Sequence, residues 1–374
     1  MMASGPLNGI KVLEFAGIGP GPFAGMMLSD MGADVLRIER KGTPDPAAER
    51  FDARGRRTIE LDLKQSHAID LCLKLGESAE IVIEGNRPGV MERLGLGPRA
   101  MLARNPRLVY GRMTGWGQSG PYASNAGHDI NYLSLSGALH AIGTEEKPVP
   151  PLNLAADYGG GAMFLIAGVL AAVIHARATG EGQVVDAAMT DGATYLMTLF
   201  YGMHAAGTLE DRRRTNLLDG GAPFYDTYRC ADGKWISVGA LEPQFYALLL
   251  QKTGAAARLA SPQMERKSWP DMQQALRELF ATRTRRQWCD LLENTDACFA
   301  PVLSLSEAPA HPHNRARGTF VELAGVIQPA PTPRFSATPS RIQWPPAPVN
   351  RGARQVLEDW GVGDEDLAKL SGDP

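Results

Sequence analysis

The sequence predicts an α/β protein built on a parallel sheet, joined to a smaller α+β domain. Three observations predict it. Strand-like and helix-like apolar patterns alternate through the first half of the chain. The 374 residues exceed what one ordinary hydrophobic core accommodates. Further on, an Asp-Gly turn joins two strand-like segments, 225–230 and 234–238, as a hairpin outside the βα pattern.

The first strand is 11–16, followed by a Gly/Pro turn and a helix over 23–31. Strands follow at 34–38 and at 58–63, which alternates with period 2. Helix, strand (81–83), helix and strand (108–110) continue the pattern. The run 162–174 is apolar nearly all round, so it reads as a central helix; it is too short to span a bilayer and contains Gly168. A strand at 184–188 and a helix over 191–206 come next, then a polar connection at 211–221. After the hairpin, helical patterns run to about 294, with a strand at 300–303. Residues 329–348 are Pro-rich and extended, and a helix at 353–360 returns to the first domain. The expected division is 1–190 as the large domain, 191–223 as connecting helix and linker, 224–320 as the small α+β domain, and 321–374 as a returning segment.

Composition narrows the function. Hydrophobic residues make up 44% and charged residues 21%, as in soluble globular proteins. A net charge of −3 carries no nucleic-acid footprint. Arginines cluster at Arg37, Arg40, Arg50, Arg54, Arg56 and Arg57; most read as a solvated face, with a few open to an anionic ligand. Cys72, Cys230, Cys289 and Cys298 have no metal-binding spacing and read as reduced thiols. The start of the chain has no basic segment leading into an apolar run, and Ser371-Gly372-Asp373-Pro374 is not a peroxisomal signal. The expectation is a cytoplasmic protein without membrane or nucleic-acid partners. His311 and His313 read as loop residues.

Two acid/base groups stand in Gly-rich turns: Gly127-His128-Asp129-Ile130-Asn131-Tyr132, and Asn153-Leu154-Ala155-Ala156-Asp157-Tyr158-Gly159-Gly160-Gly161. An imidazole and a carboxylate displayed this way suit a two-base proton transfer, one group removing a proton and the other returning one to the opposite face. His128 precedes an expected helix start at Asp129. Asp157 suits a helix N-cap. It serves as an acid near neutrality only if burial raises its pKa. The three glycines after it allow close backbone approach to a ligand and expose N–H groups to an oxyanion. The turn Gly19-Pro20-Gly21-Pro22-Phe23-Ala24 formally fits a dinucleotide fingerprint, with Glu39 near the ribose position. Its two prolines remove N–H donors that a pyrophosphate would need, so close passage of the chain to a different ligand is the better reading. Met26, Met27, Met163, Met189 and Met197 offer adaptable apolar surface, though most suit ordinary core packing.

Taken together, these motifs resemble the family III CoA-transferase superfamily, nearest its racemase branch, over almost the whole chain. The resemblance includes Met31-Gly32-Ala33-Asp34-Val35-Leu36-Arg37-Ile38-Glu39-Arg40, Asn86-Arg87-Pro88-Gly89-Val90-Met91-Glu92-Arg93, Met113-Thr114-Gly115-Trp116-Gly117-Gln118 and Gly239-Ala240-Leu241-Glu242-Pro243. It implies an interlocked homodimer with a Rossmann-like large domain and a small domain. The active site would lie between the large domain of one subunit and the small domain of the other. His128 and Asp157 would be the catalytic pair on an acyl-CoA thioester, His128 serving the S and Asp157 the R epimer. Asp129 would lie beside them, and Glu242 of the other subunit would orient the His. The resemblance places CoA against Arg40, Leu61, Asp62, Leu63, Lys64, Gly85, Asn86, Arg87, Arg93, Gly127, Ile130, Asn131 and Tyr132. It implies no cofactor beyond the CoA of the substrate, and no metal. The main rival is a CoA-transferase that uses Asp157 as nucleophile through an acyl-aspartyl anhydride. An acyl-CoA-binding protein without turnover needs neither catalytic group.

Overall fold

The computed structural model describes residues 5–42, 51–257, 259, 261–364 and 367. Arg50 and the 371–374 segment lie outside them. In chain order the strands and helices are β1 (Lys11–Phe15), α1 (Pro20–Asp30), β2 (Asp34–Arg40), β3 (Arg56–Leu61), α2 (Ser66–Ser78), β4 (Ile81–Glu84), α3 (Val90–Arg93), α4 (Pro98–Arg104) and β5 (Val109–Thr114). Next come α5 (Asp129–Leu135), α6 (Ala138–Ala141), α7 (Met163–Thr179), β6 (Gln183–Ala188), α8 (Met189–Leu196) and α9 (Thr198–Ala205). Then follow β7 (Tyr225–Arg229), β8 (Trp235–Gly239), α10 (Pro243–Thr253), α11 (Trp269–Phe280), α12 (Arg285–Leu292) and β9 (Phe299–Val302). The last are α13 (Pro312–Arg317), β10 (Phe320–Leu323), β11 (Val326–Pro329) and α14 (Ala353–Asp359).

The chain divides into two units. The first takes residues 1–136, 151–197 and 320–374. Its six strands run parallel in the order β3-β2-β1-β4-β5-β6. Helices cover both faces. Tyr110 points into a core with Leu71, Leu75, Val356 and Trp360, whereas a Cβ on neighbouring Gly111 would meet Leu165 and Val169 of α7. Near-continuous apolar strands such as Ile81-Val82-Ile83 are what a sheet buried on both sides requires. The sheet also buries charged residues in pairs: Glu14 stands beside the guanidiniums of Arg37 and Arg56 at 3.8 and 3.3 Å, and Glu84 beside that of Arg112 at 3.1 Å.

The arginine cluster is therefore mostly structural rather than solvated. Arg54 pairs with Asp30 at 2.7 Å, and Arg57 with Asp34 and Asp359 at 2.8 and 2.6 Å. The returning segment closes the unit: Trp360 Nε1 donates to Asp34 Oδ2 at 3.0 Å. It also forms the antiparallel β10–β11 pair, which the sequence reading leaves out.

The second unit takes residues 137–150 and 198–319, so it gathers both more of the linker and a segment expected in the large domain. A three-stranded sheet, β7-β8-β9, carries the expected hairpin. Its core includes Phe224, Tyr228, Phe280 and Trp288. His311 bonds Glu293 Oε1 at 2.9 Å and caps α13, which includes His313, so these two are not plain loop residues. The four cysteines are unpaired.

Three other expectations shift. The first helix begins at Pro20, because Pro at the first helical position gives up no bonded N–H. The helix expected over 191–206 is two, separated at Met197. Residues Leu154–Thr179 form one continuous 26-residue helical stretch, long and apolar enough to cross a membrane. Half of its most apolar window is nevertheless buried within the protein, and it packs on β5 and β6.

Candidate active site

Parallel strands place all their carboxyl ends on one edge, and the strand order reverses between β1 and β4. That reversal opens a crevice, the usual ligand position in such sheets. Here it is a cleft of about 510 Å³. The turn after β1 (Gly17 to Pro22), the loop after β4 (Gly85 to Pro88) and the end of β5 (Met113 to Trp116) line it, together with His128, Tyr132, Asn153, Asp157 and Met189.

His128 is the N-cap of α5, in extended conformation. Its backbone N–H donates to Asn131 Oδ1 at 3.1 Å, which fixes the turn. Tyr132 Oη donates to the Gly127 carbonyl at 2.5 Å. The Tyr132 ring meets Trp116 edge-on at 4.8 Å. A Cβ at Gly127 would stand 2.8 Å from both rings, so only glycine lets the chain pass there. Burial pushes the Tyr132 hydroxyl up to about 12, and the Asp157 and Asp129 carboxylates add to this, so it remains a donor.

Asp157 is not an N-cap. It lies inside a π-helical segment, Leu154–Ala162, that leads into α7, and Asn153 holds the cap position. Wide π turns of this kind occur at functional sites. The Asp157 and Ala156 N–H groups both donate to Asp129 Oδ2 at 2.8 Å. Asn153 Nδ2 donates to Asp157 Oδ2 at 3.3 Å. Gly19, with φ +67, lies over the carboxyl; a Cβ there would approach Oδ2 to 3.3 Å. Burial raises the Asp157 pKa above the usual carboxylate value. The Asn153 bond opposes this, the Asp129 carboxylate reinforces it, and His128 opposes it. Asp129 is buried, and its second oxygen, Oδ1, has no hydrogen-bond partner.

The glycines after Asp157 serve packing rather than a ligand. A Cβ on Gly160 would collide with the backbone of Gly192 and Ala193 in α8, and one on Gly161 with Met189. The Asp157 N–H donates to Asp129 and so is not a donor left for an oxyanion.

Of the residues expected to bind CoA, Gly85, Asn86, Arg87, Gly127 and Tyr132 line the cleft, but Arg40, Leu61, Asp62, Leu63, Lys64, Arg93, Ile130 and Asn131 do not. Arg40 and Leu61 are register partners where β2 and β3 end, on the same carboxyl edge. Among the described residues the guanidiniums of Arg40, Arg87 and Arg93 have no acidic partner, unlike those of Arg37, Arg54 and Arg57. Glu242 lies in the second unit as the exposed N-cap of α10. Of the methionines singled out from sequence, Met189 lines the cleft. Asn153 and Trp116 were missed as site residues. The four-residue spacing of Asn153 and Asp157, which places them on one helical face, is the signal that reveals the first. Among the described residues no cluster of three His, Cys, Asp or Glu side chains is placed to hold a metal ion.

A parallel sheet whose switch-point cleft is lined by a His and an Asp defines a class, and the chain belongs to the CoA-transferase family III, matched over residues 7–353. It is 43% identical to the alpha-methylacyl-CoA racemase of Mus musculus, over 98% of this chain and 96% of that protein. Against the alpha-methylacyl-CoA racemase of Homo sapiens it is 41% identical, over 98% and 96%. Among solved structures it resembles Rv3272 of M. tuberculosis with TM-score 0.78 and 26% identity, covering 94% of this chain and 99% of that one. A CAIB/BAIF family protein from Brucella suis shares the fold at TM-score 0.81 and 24% identity, covering 96% and 100%.

Proposed function

We propose that this enzyme is an isomerase that interconverts (2R)- and (2S)-2-methylacyl-CoA thioesters. The observation that carries the reading is the presentation of His128 and Asp157 to one cleft, with Arg87 on its rim. Identity to two racemases over nearly the full chain supports it.

Neutral His128 removes the α-proton of the S epimer. The electron pair moves onto the thioester oxygen, giving an enolate, and protonated Asp157 returns a proton to the opposite face. The reverse direction starts with ionised Asp157 and ends with His128 as the acid. A raised Asp157 pKa suits this exchange, since it favours the protonated carboxyl that returns a proton to the enolate. The first N–H groups of α5, at Asp129 and Ile130, have no carbonyl within their own helix and are suited to meet the enolate charge. Arg40, Arg87 and Arg93 take the CoA phosphates as paired N–H donors. In this reading the enzyme is a cytoplasmic homodimer. Glu242 of the partner subunit orients His128, and no cofactor is needed beyond the CoA of the substrate.

The rival reading makes Asp157 the nucleophile of a CoA-transferase, and it leaves His128 without work. Incubation with a (2R)-2-methylacyl-CoA in deuterated water, without an acyl acceptor, separates the two. Deuterium at the α-carbon with 2S product is the expected result. No exchange, with CoA moving only when a second carboxylic acid is added, would overturn it. Asp157→Asn is expected to bind CoA but not to epimerise; loss of both together would give Asp157 a structural role instead.

A further inference from the structure

Arg112 takes no part in the chemistry above, yet it grips both stems of the loop that carries Arg87. It stands in β5 opposite Glu84, the last residue of β4. Its Nε donates to Glu84 Oε1 at 3.1 Å. Its Nη1 and Nη2 donate to Glu92 Oε1 and Oε2 of α3 at 2.8 and 3.3 Å. Between Glu84 and Glu92 runs the loop Gly85-Asn86-Arg87-Pro88-Gly89, which lines the cleft up to Pro88.

Glu84 is fully buried, and its second oxygen accepts the Asn86 N–H at 2.6 Å. Asn86 Nδ2 in turn reaches Met91 Sδ at 3.3 Å. The loop thus leaves the sheet and enters α3 under the control of one guanidinium. Arg87, at the loop's centre, is exposed and has no acidic partner among the described residues. A buried ion pair such as Arg112–Glu84 is a poor source of stability compared with apolar side chains of the same volume. What it supplies is geometry: a planar fork holds two carboxylates at fixed separation, which an ammonium does not.

We propose that Arg112 is a positioning residue for thioester binding, holding the 85–89 loop so that Arg87 meets the CoA portion of the substrate. The proposal rests on the assignment of Arg87 to CoA, not on which chemistry follows. Its test is therefore binding of free coenzyme A by calorimetry, alongside KM and kcat for a 2-methylacyl-CoA. Arg112→Lys keeps the buried charge and loses the fork. Glu92→Gln alters only a half-exposed carboxylate and so keeps the fold.

Arg112→Lys is expected to raise Kd and KM about tenfold with kcat within about twofold, and Glu92→Gln to move them the same way by less. Hydrogen exchange is expected to quicken in 85–93 alone. Combining Arg112→Lys with Arg87→Ala is expected to weaken binding no further than Arg87→Ala does, because both act through one contact. Unchanged Kd in both Arg112→Lys and Glu92→Gln, additive losses in the double variant, or kcat falling in step with folded fraction would each overturn the proposal. Wild-type Kd in Arg87→Ala would overturn the Arg87 assignment and this proposal together. Absence of α-deuterium exchange in the wild type would overturn the racemase reading and leave the Kd test standing.

Discussion

Asp157 and Asp129 show how one residue sets the chemistry of another. Burial raises the Asp157 pKa, so between its ordinary and its folded value the native state binds more protons than the unfolded chain. Stability from this group is present at low pH and declines as pH rises through the folded pKa. Asp157→Asn removes that charge, so its thermal midpoint at neutral pH should match or exceed that of the wild type while epimerisation disappears. A lower midpoint would show that the carboxylate holds the fold. Asp129 adds to the rise by charge, so Asp129→Asn should lower the Asp157 pKa. The acid limb of kcat for the direction that starts with ionised Asp157 should then move to lower pH. Asp129→Ala goes further, because it strands two N–H groups; each loss costs about 1–3 kcal/mol, read as a lower urea midpoint. His128 and Asp157 were legible in the sequence because glycine and small neighbours surround them. The Asp129 contact was not, because it joins residues 28 positions apart.

Among the elements, the π-helical segment carries the site, and its packing partner lies elsewhere in the chain. The helix over 162–174 was legible from apolarity, but its extension back to Leu154 was not. Nor was the wider turn at Asp157, which lies in the segment whose Gly160 packs against Gly192 and Ala193 of α8. Gly192 makes that approach possible: a Cβ there would run into the Gly160 carbonyl. Gly192→Ala must push α8 away, at a cost of about 1–3 kcal/mol, and displace Asp157 with it. Gly202 of α9, where a Cβ meets nothing, is the control. Gly202→Ala should stabilise by about 0.5–1 kcal/mol through helix preference alone. Urea denaturation and epimerisation rates check both; equal behaviour of the two variants would refute the packing argument. The βα alternation made the parallel sheet legible. The β10–β11 pair escaped because apolar residues fall on both faces of Phe320–Leu323 and Val326–Pro329 with a polar residue in each, so neither an alternating nor an unbroken apolar run marks them.

At the scale of the whole molecule, the question is which chain completes the site. Unit 1 supplies His128, Asp157, Asp129 and the arginines, whereas Glu242 belongs to unit 2, exposed at the start of α10. The homodimer reading gives His128 the Glu242 of the other subunit. A two-fold dimer then has two sites, each made of one large and one small unit from different chains. His128→Ala and Glu242→Ala should each be inactive or nearly so alone. In a mixed dimer, one site carries both lesions and the other carries neither, since the intact His128 of one chain meets the intact Glu242 of its partner. Unfolding and refolding equal amounts of the two variants together makes half of the dimers mixed. About a quarter of wild-type activity should therefore return. If Glu242 served its own chain's His128, every site in every dimer would carry one lesion, and mixing would restore nothing. Recovered epimerisation thus assigns Glu242 to the partner, and its absence, with mixed dimers shown to form, returns Glu242 to its own chain.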